Sequence, residues 1–212
     1  MRKKIGMAAG WLAGFALWTA AVCTIDLQPI GPQGSVVGMA EFNRLVHNLT
    51  GVHWTLYTVT DWLGLIPLGV CIGFGILGLL QWTRRKSILK VDRSILVLGG
   101  FYLTVIAAYG LFEICPVNFR PVLIEGILEA SYPSSTTMLT MCVMPAAAMQ
   151  LHGRIKNRLL RRCISAVIAV FTGFMVMGRF LSGVHWATDI IGGALLSAGL
   201  VALYSAMASQ NG

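Results

Sequence analysis

Six stretches of this chain, roughly 6–24, 63–82, 95–112, 135–151, 164–178 and 186–207, are apolar over about the length a helix needs to cross a bilayer. The fourth and fifth are short and borrow a few flanking residues. With 56% hydrophobic residues overall, the chain is too apolar for an ordinary soluble domain. The expectation is an all-α, six-span transmembrane helix bundle forming a single integral membrane domain over 1–212. The basic start and the apolar core behind it resemble a secretory leader. Val22 suits a cleavage site poorly, however, and five further spans follow, so 6–24 is read as an uncleaved first span.

The net charge of +8 raises the question of nucleic acid, and its distribution answers it. Arg2, Lys3 and Lys4 precede the first span. Arg84, Arg85, Lys86, Lys90 and Arg93 fill the connection between spans two and three, and Arg154, Lys156, Arg158, Arg161 and Arg162 that between spans four and five. The opposite side carries only Arg44, Arg120 and Arg179. Cationic residues of this asymmetry mark the cytoplasmic side. They predict a multi-pass cell-membrane protein with both termini in the cytoplasm, and they need no nucleic-acid partner. The five cysteines have no metal-ligand spacing and mostly fall inside spans, where a thiol packs as a small hydrophobe.

On the outer side, Met39, Phe42, Leu45, Val46 and Leu49 recur at helical spacing between Glu41, Arg44 and Asn48. That pattern predicts a short amphipathic helix lying on the outer membrane surface. His47 and His53, without an adjacent carboxylate, are read as interfacial, and Asp61 as the N-cap of the second span. The segment 113–134 is too rich in polar and special residues for a passive connector. Pro133 fits the first turn of the fourth span, leaving Ser134 and Ser135 at a helix N-terminus, where free N–H groups favour an anion. Glu125 and Glu129 share a face if that stretch is helical, but two carboxylates alone do not make a metal site.

The stretch Gly178-Arg179-Phe180-Leu181-Ser182-Gly183-Val184-His185-Trp186-Ala187-Thr188-Asp189 places three ionisable residues in apolar sequence, where they are costly and point to function. His185 and Asp189 stand at i and i+4, one above the other on a helix face. The carboxylate can hold the proton of one ring nitrogen and leave the other free as nucleophile or base. Arg179 supplies a fixed cation suited to phosphate. Without a ligand, the same residues would be a membrane-edge arginine, an interfacial histidine and a helix-packing aspartate.

Arg120-Pro121, Pro133-Ser134 and Arg179 with His185 and Asp189 resemble, in order and spacing, the three motifs of the phosphatidic acid phosphatase type 2 superfamily, lipid phosphatases related to vanadium haloperoxidases. The third motif is matched at Arg179, His185 and Asp189, with Gly178 for its leading serine. The first keeps Arg120 and Pro121 but has Glu113 for its lysine. The second keeps Pro133 and Ser134, has Ser135 for its glycine and Thr136 for its histidine. The resemblance implies that His185 attacks phosphorus, that Asp189 orients it, and that Arg120, Ser134 and Arg179 hold the phosphoryl oxygens. It implies no metal and no cofactor.

In that family the missing histidine protonates the leaving oxygen, which Thr136 cannot do. Glu113, Glu125, Glu129 and Tyr132 are the substitute acids the sequence offers. The expected activity is phosphate ester or diphosphate hydrolysis, or phosphotransfer, on a phosphorylated membrane lipid at the extracytoplasmic face. The alternative is an inactive relative that binds a phosphorylated headgroup.

Overall fold

The computed structural model describes residues 2–208. Helix dominates, and among these residues the only extended pairing is in isolated bridges. The helices are α1 (Arg2–Thr24), α2 (Ala40–Thr50), α3 (Trp54–Leu63), α4 (Leu65–Arg85), α5 (Arg93–Ile114), α6 (Ser135–Arg154), α7 (Arg158–Leu181) and α8 (Ala187–Ala208). A helix stands at each place where a span is expected. Among the described residues, five stretches are long and apolar enough to cross a membrane: Arg2–Thr24, Trp54–Arg85 (α3 and α4 together), Arg93–Ile114, Arg158–Leu181 and Ala187–Ala208. The chain is a multi-pass membrane protein.

Helix α6 is the one left out, and its position explains its composition. It faces protein rather than lipid, so Thr137, Thr140 and Cys142 are completely buried and Gln150 nearly so. Gln150 donates to the Tyr204 hydroxyl (2.6 Å) and to the Ser94 carbonyl (2.9 Å), which satisfies an amide that lipid could not.

Helix α8 forms the axis of the bundle. Leu196, Leu200 and Tyr204 join Leu98, Phe101 and Val105 of α5 and Met138, Cys142 and Ala146 of α6 in one apolar core. On its other side α8 meets α1, its most extensive helix contact. Ala8 and Val22 are buried, and Leu12 and Phe15 pack onto the core, a 3–4 spacing that puts one face of α1 inward. A Cβ on Gly199 would come within 2.7 Å of Leu12, so the close approach depends on that glycine. By contrast Leu65, Leu68, Ile72, Ile76 and Leu79 of α4, and Val167, Val170, Phe174 and Met177 of α7, are exposed. In a bilayer those faces meet acyl chains.

A helix, α2, stands over the segment where the amphipathic surface helix is expected. Its Phe42, Leu45 and Leu49 are exposed, while Asn43 is fully buried beneath it. Met39, at the N-cap position, offers no side-chain cap. Asp26 supplies one from a distance, accepting the Glu41 N–H at 2.7 Å. That bond holds the Asp26 carboxyl below the usual carboxylate range, helped by Gln28.

Three local expectations are corrected. Asp61 lies inside α3 rather than capping a helix, because the second apolar stretch already begins as helix at Trp54. Pro133 precedes the N-cap Ser134 instead of occupying the first turn of α6. The segment carrying Glu125 and Glu129 is not helical. Its two arms pair through a Phe119–Ala130 bridge and an Ile124–Ile127 bridge, and Glu125 and Gly126 turn the chain with positive φ.

Candidate active site

The turn between α7 and α8 carries His185. Gly183 has φ +68, and a Cβ there would lie 1.8 Å from the Gly51 carbonyl oxygen, so only glycine fits. The His53 N–H donates to the Ser182 carbonyl (2.9 Å), fixing this turn against the α2–α3 connection. His185 therefore sits on an anchored corner and is only 5% exposed.

Asp189, in the first turn of α8, has its Oδ2 3.8 Å from His185 Nδ1. This is ion-pair range, beyond a hydrogen bond. Contacts of this kind often shorten when substrate is bound. Meanwhile the carboxylate is held by two other donors, the Trp186 N–H to Oδ2 (3.0 Å) and Asn118 Nδ2 to Oδ1 (3.2 Å). On the opposite side of the ring, Arg120 Nη1 lies 3.2 Å from Nε2. A guanidinium can only donate, so Nε2 presents its lone pair and the ring proton is assigned to Nδ1, facing Asp189. Burial draws the His185 pKa down to about 4, against the opposing pull of Asp189, and Arg120 lowers it further. The ring is neutral at pH 7, as a nitrogen nucleophile must be.

Arg120 reaches the site from the first arm of the 115–134 loop. Its Nε lies 2.9 Å from Glu129 Oε2, and its backbone N–H donates to the Glu129 carbonyl (3.0 Å). Trp186 Nε1 donates to the Phe119 carbonyl (2.7 Å), which clamps this loop to the His185 turn. Arg179, at the end of α7, is almost fully buried. Its Nη2 donates to Asp61 Oδ1 (2.8 Å) and Thr136 Oγ1 (2.7 Å), and its guanidinium stands 4.8 Å over the Tyr57 ring. Nε and Nη1 of Arg179 have no hydrogen-bond partner, nor does the fully buried Ser134 Oγ. The Ser134 N–H donates to the Asp189 carbonyl (3.1 Å), joining the start of α6 to the start of α8. Such buried unsatisfied donors are rare without a ligand.

Glu113, Ser131, Tyr132, Ser135 and His185 line a crevice of about 20 Å³, room for roughly one water. Through Tyr109, Ser135 and Met138 it adjoins a cavity of about 470 Å³ lined by Asp61, Leu65, Leu68, Val105, Ile106, Thr136 and Leu139. A phosphoryl group would have to part Arg120 from His185 to reach Nε2.

His185, Asp189, Arg120 and Ser134 are thus joined at one place, with Arg179 and Thr136 paired beside it. Glu113 borders the crevice, whereas Glu129 is engaged by Arg120 and Glu125 is at an exposed turn. The Tyr132 hydroxyl is turned away to Thr19 Oγ1 of α1 (2.6 Å), and burial raises its pKa. Sequence reasoning read Asp61 as an N-cap and gave Asn118 and Asn43 no role at the site. Asn43 Nδ2 bonds Thr188 Oγ1 (3.0 Å), and its Oδ1 accepts the Thr188 N–H (3.2 Å), so α2 is tied to the residue beside Asp189. A lone carboxylate in apolar sequence was the available signal for Asp61.

The sequence profile of the PAP2 superfamily matches residues 70–212. No curated protein matches the sequence significantly. Among solved structures, a transmembrane PAP2 type phosphatidylglycerolphosphate phosphatase from Bacillus subtilis is similar with a TM-score of 0.65 at 18% identity. The alignment covers 97% of this chain and 98% of that one.

Proposed function

This chain belongs to the PAP2 superfamily, and from that premise we propose that it is a metal-independent lipid phosphate or diphosphate phosphatase or phosphotransferase. The observation that carries the reading is the histidine whose unprotonated Nε2 faces Arg120 at 3.2 Å while Nδ1 faces Asp189. His185 attacks phosphorus through Nε2, and Asp189 stabilises the positive ring of the resulting phosphohistidine. Arg120, the free donors of Arg179 and the Ser134 hydroxyl receive the phosphoryl oxygens, since phosphoryl transfer is mainly positioning and charge stabilisation. The adjoining cavity has aliphatic walls from α4 and α5, which suit a lipid chain with its phosphate at the Thr136 end.

In this reading α6 is the sixth span and the whole chain is one membrane domain. The basic connections at 86–92 and 155–157 lie in the cytoplasm with both termini. The site opens at the extracytoplasmic face, with α2 on the outer membrane surface. A second reading, a binder without turnover, is favoured by one observation: Thr136, at the position of the family's histidine, is held by Arg179 and cannot protonate a leaving group.

The test is phosphate release from a panel of lipid monophosphates and diphosphates in detergent micelles, with His185→Ala as control. Release by the wild type and its loss in the variant are expected. Tight binding of the same lipids without release by either protein would give the site to the binder.

A further inference from the structure

We infer that Asp61 is the general base that activates water against the phosphohistidine, a role that rests on the reaction proposed above. Hydrolysis of a phosphohistidine is accelerated about 10²–10⁴-fold by a group beside the phosphoryl site that removes a proton from water. Thr136 borders that site, but its hydroxyl is no base at neutral pH. Arg179 Nη2 donates at once to Thr136 Oγ1 (2.7 Å) and to Asp61 Oδ1 (2.8 Å), so one cation holds the carboxylate beside this threonine. The Asp61 side chain is 58% exposed and borders the 470 Å³ cavity together with Ser135 and Thr136, where water and substrate have room. Its Oδ1 accepts from the guanidinium, and its exposure leaves the carboxylate open to the water of the cavity.

The other carboxylates are committed or remote. Asp189 is fully buried behind the ring and held by Trp186 and Asn118. Glu129 is paired with Arg120, and Glu125 is at an exposed turn with φ 51. Glu113 borders the narrow crevice of about 20 Å³, which has room for about one water and not for a lipid phosphate as well.

The step balances within the site. A water oxygen forms a bond to phosphorus as the phosphorus–Nε2 bond breaks, and the electron pair of that bond returns to Nε2. One water proton passes to the Asp61 carboxylate, and His185 keeps its Nδ1 proton toward Asp189. Inorganic phosphate leaves, and Asp61 returns its proton to bulk water through the cavity.

Two rates separate this role from mere positioning of Arg179. With a terminally ³²P-labelled polyprenyl diphosphate in micelles, labelling of the protein reports attack by His185, and later release of phosphate reports hydrolysis. Asp61→Asn keeps an oxygen for Arg179 to bond but is not a base. It is expected to label as fast as wild type and to release at least about 10²-fold more slowly, trapping acid-labile label on His185. Asp61→Ser is expected to regain release when formate is added, which decides the matter if the asparagine variant does not fold. Equal slowing of both rates, two unchanged rates, failure of formate, or trapping in Glu113→Gln but not in Asp61→Asn would each overturn the inference. A wild type that neither labels nor releases phosphate with any lipid phosphate would instead sink the proposed function itself.

Discussion

His185 is buried against its charged form, and that choice has a thermodynamic signature. Its folded pKa of about 4 lies below the ordinary 6.5, so between these values the unfolded chain binds more protons than the folded one. Stability attributable to this residue is intact above about pH 6.5 and falls as pH drops toward 4. His47, also lowered by burial, adds to the same trend, whereas Asp26 and Asp92, held low by their partners, act only below the carboxylate range. Thermal unfolding in detergent from pH 7.5 to 4.5 should show a falling Tm, with a shallower fall in His185→Gln; identical slopes would refute the assignment. Leaving-group chemistry gives a second expectation. A departing alkoxide needs an acid, and a departing phosphate hardly does. Lipid diphosphates should therefore be the better substrates, and Thr136→His should raise monophosphate turnover more than diphosphate turnover, by up to about 10²–10⁴. A wild type that prefers monophosphates would count against this. His185, Asp189 and both arginines were legible because ionisable residues at set spacing stand out in apolar sequence. The pairing of Asp61 was not, since nothing near it in sequence announces a guanidinium 118 residues away.

Among the elements, α2 and the six long helices could be read from periodicity and apolar length, both local properties. The loop at 115–134 could not. Its form comes from pairing between its arms and from the Trp186 bond to Phe119, contacts that leave no periodic trace. The corner between α7 and α8 depends in turn on backbone space. Gly183→Ala would need both a positive φ and relief of a 1.8 Å approach to Gly51. The α2–α3 connection must then move, carrying the Ser182 bond to His53 with it. This variant should lose most phosphate release while still unfolding cooperatively. Full activity would show that the corner adapts. Asn43 makes a complementary case, because its amide is fully buried and spans α2 and α8. Asn43→Ala leaves the buried Thr188 N–H without its acceptor, at a cost of about 1–3 kcal/mol in unfolding free energy measured in detergent.

Across the whole molecule, the charge asymmetry makes an orientation testable. In a variant without its five cysteines, a thiol introduced at Asn157 should react with an impermeant maleimide only after cells are permeabilised, and one next to Asn118 should react in intact cells. The reverse pattern would overturn the proposed topology and the side of catalysis together. Helix α6 shows how packing shapes composition: it is central and more polar than the other long helices, and it is not among the five stretches long and apolar enough to cross a membrane in the described residues. The marriage of α1 to α8 has a further consequence for how the protein is made. Trp18 Nε1 donates to the Thr188 carbonyl, 170 residues further along the chain, so α1 gains its α8 neighbours only once α8 has emerged. Until then α1 waits in the membrane with its inward face uncovered. Chains halted before residue 187 would lack Asp189 and leave α1 without its α8 partner, giving the cell's quality control an exposed surface to recognise.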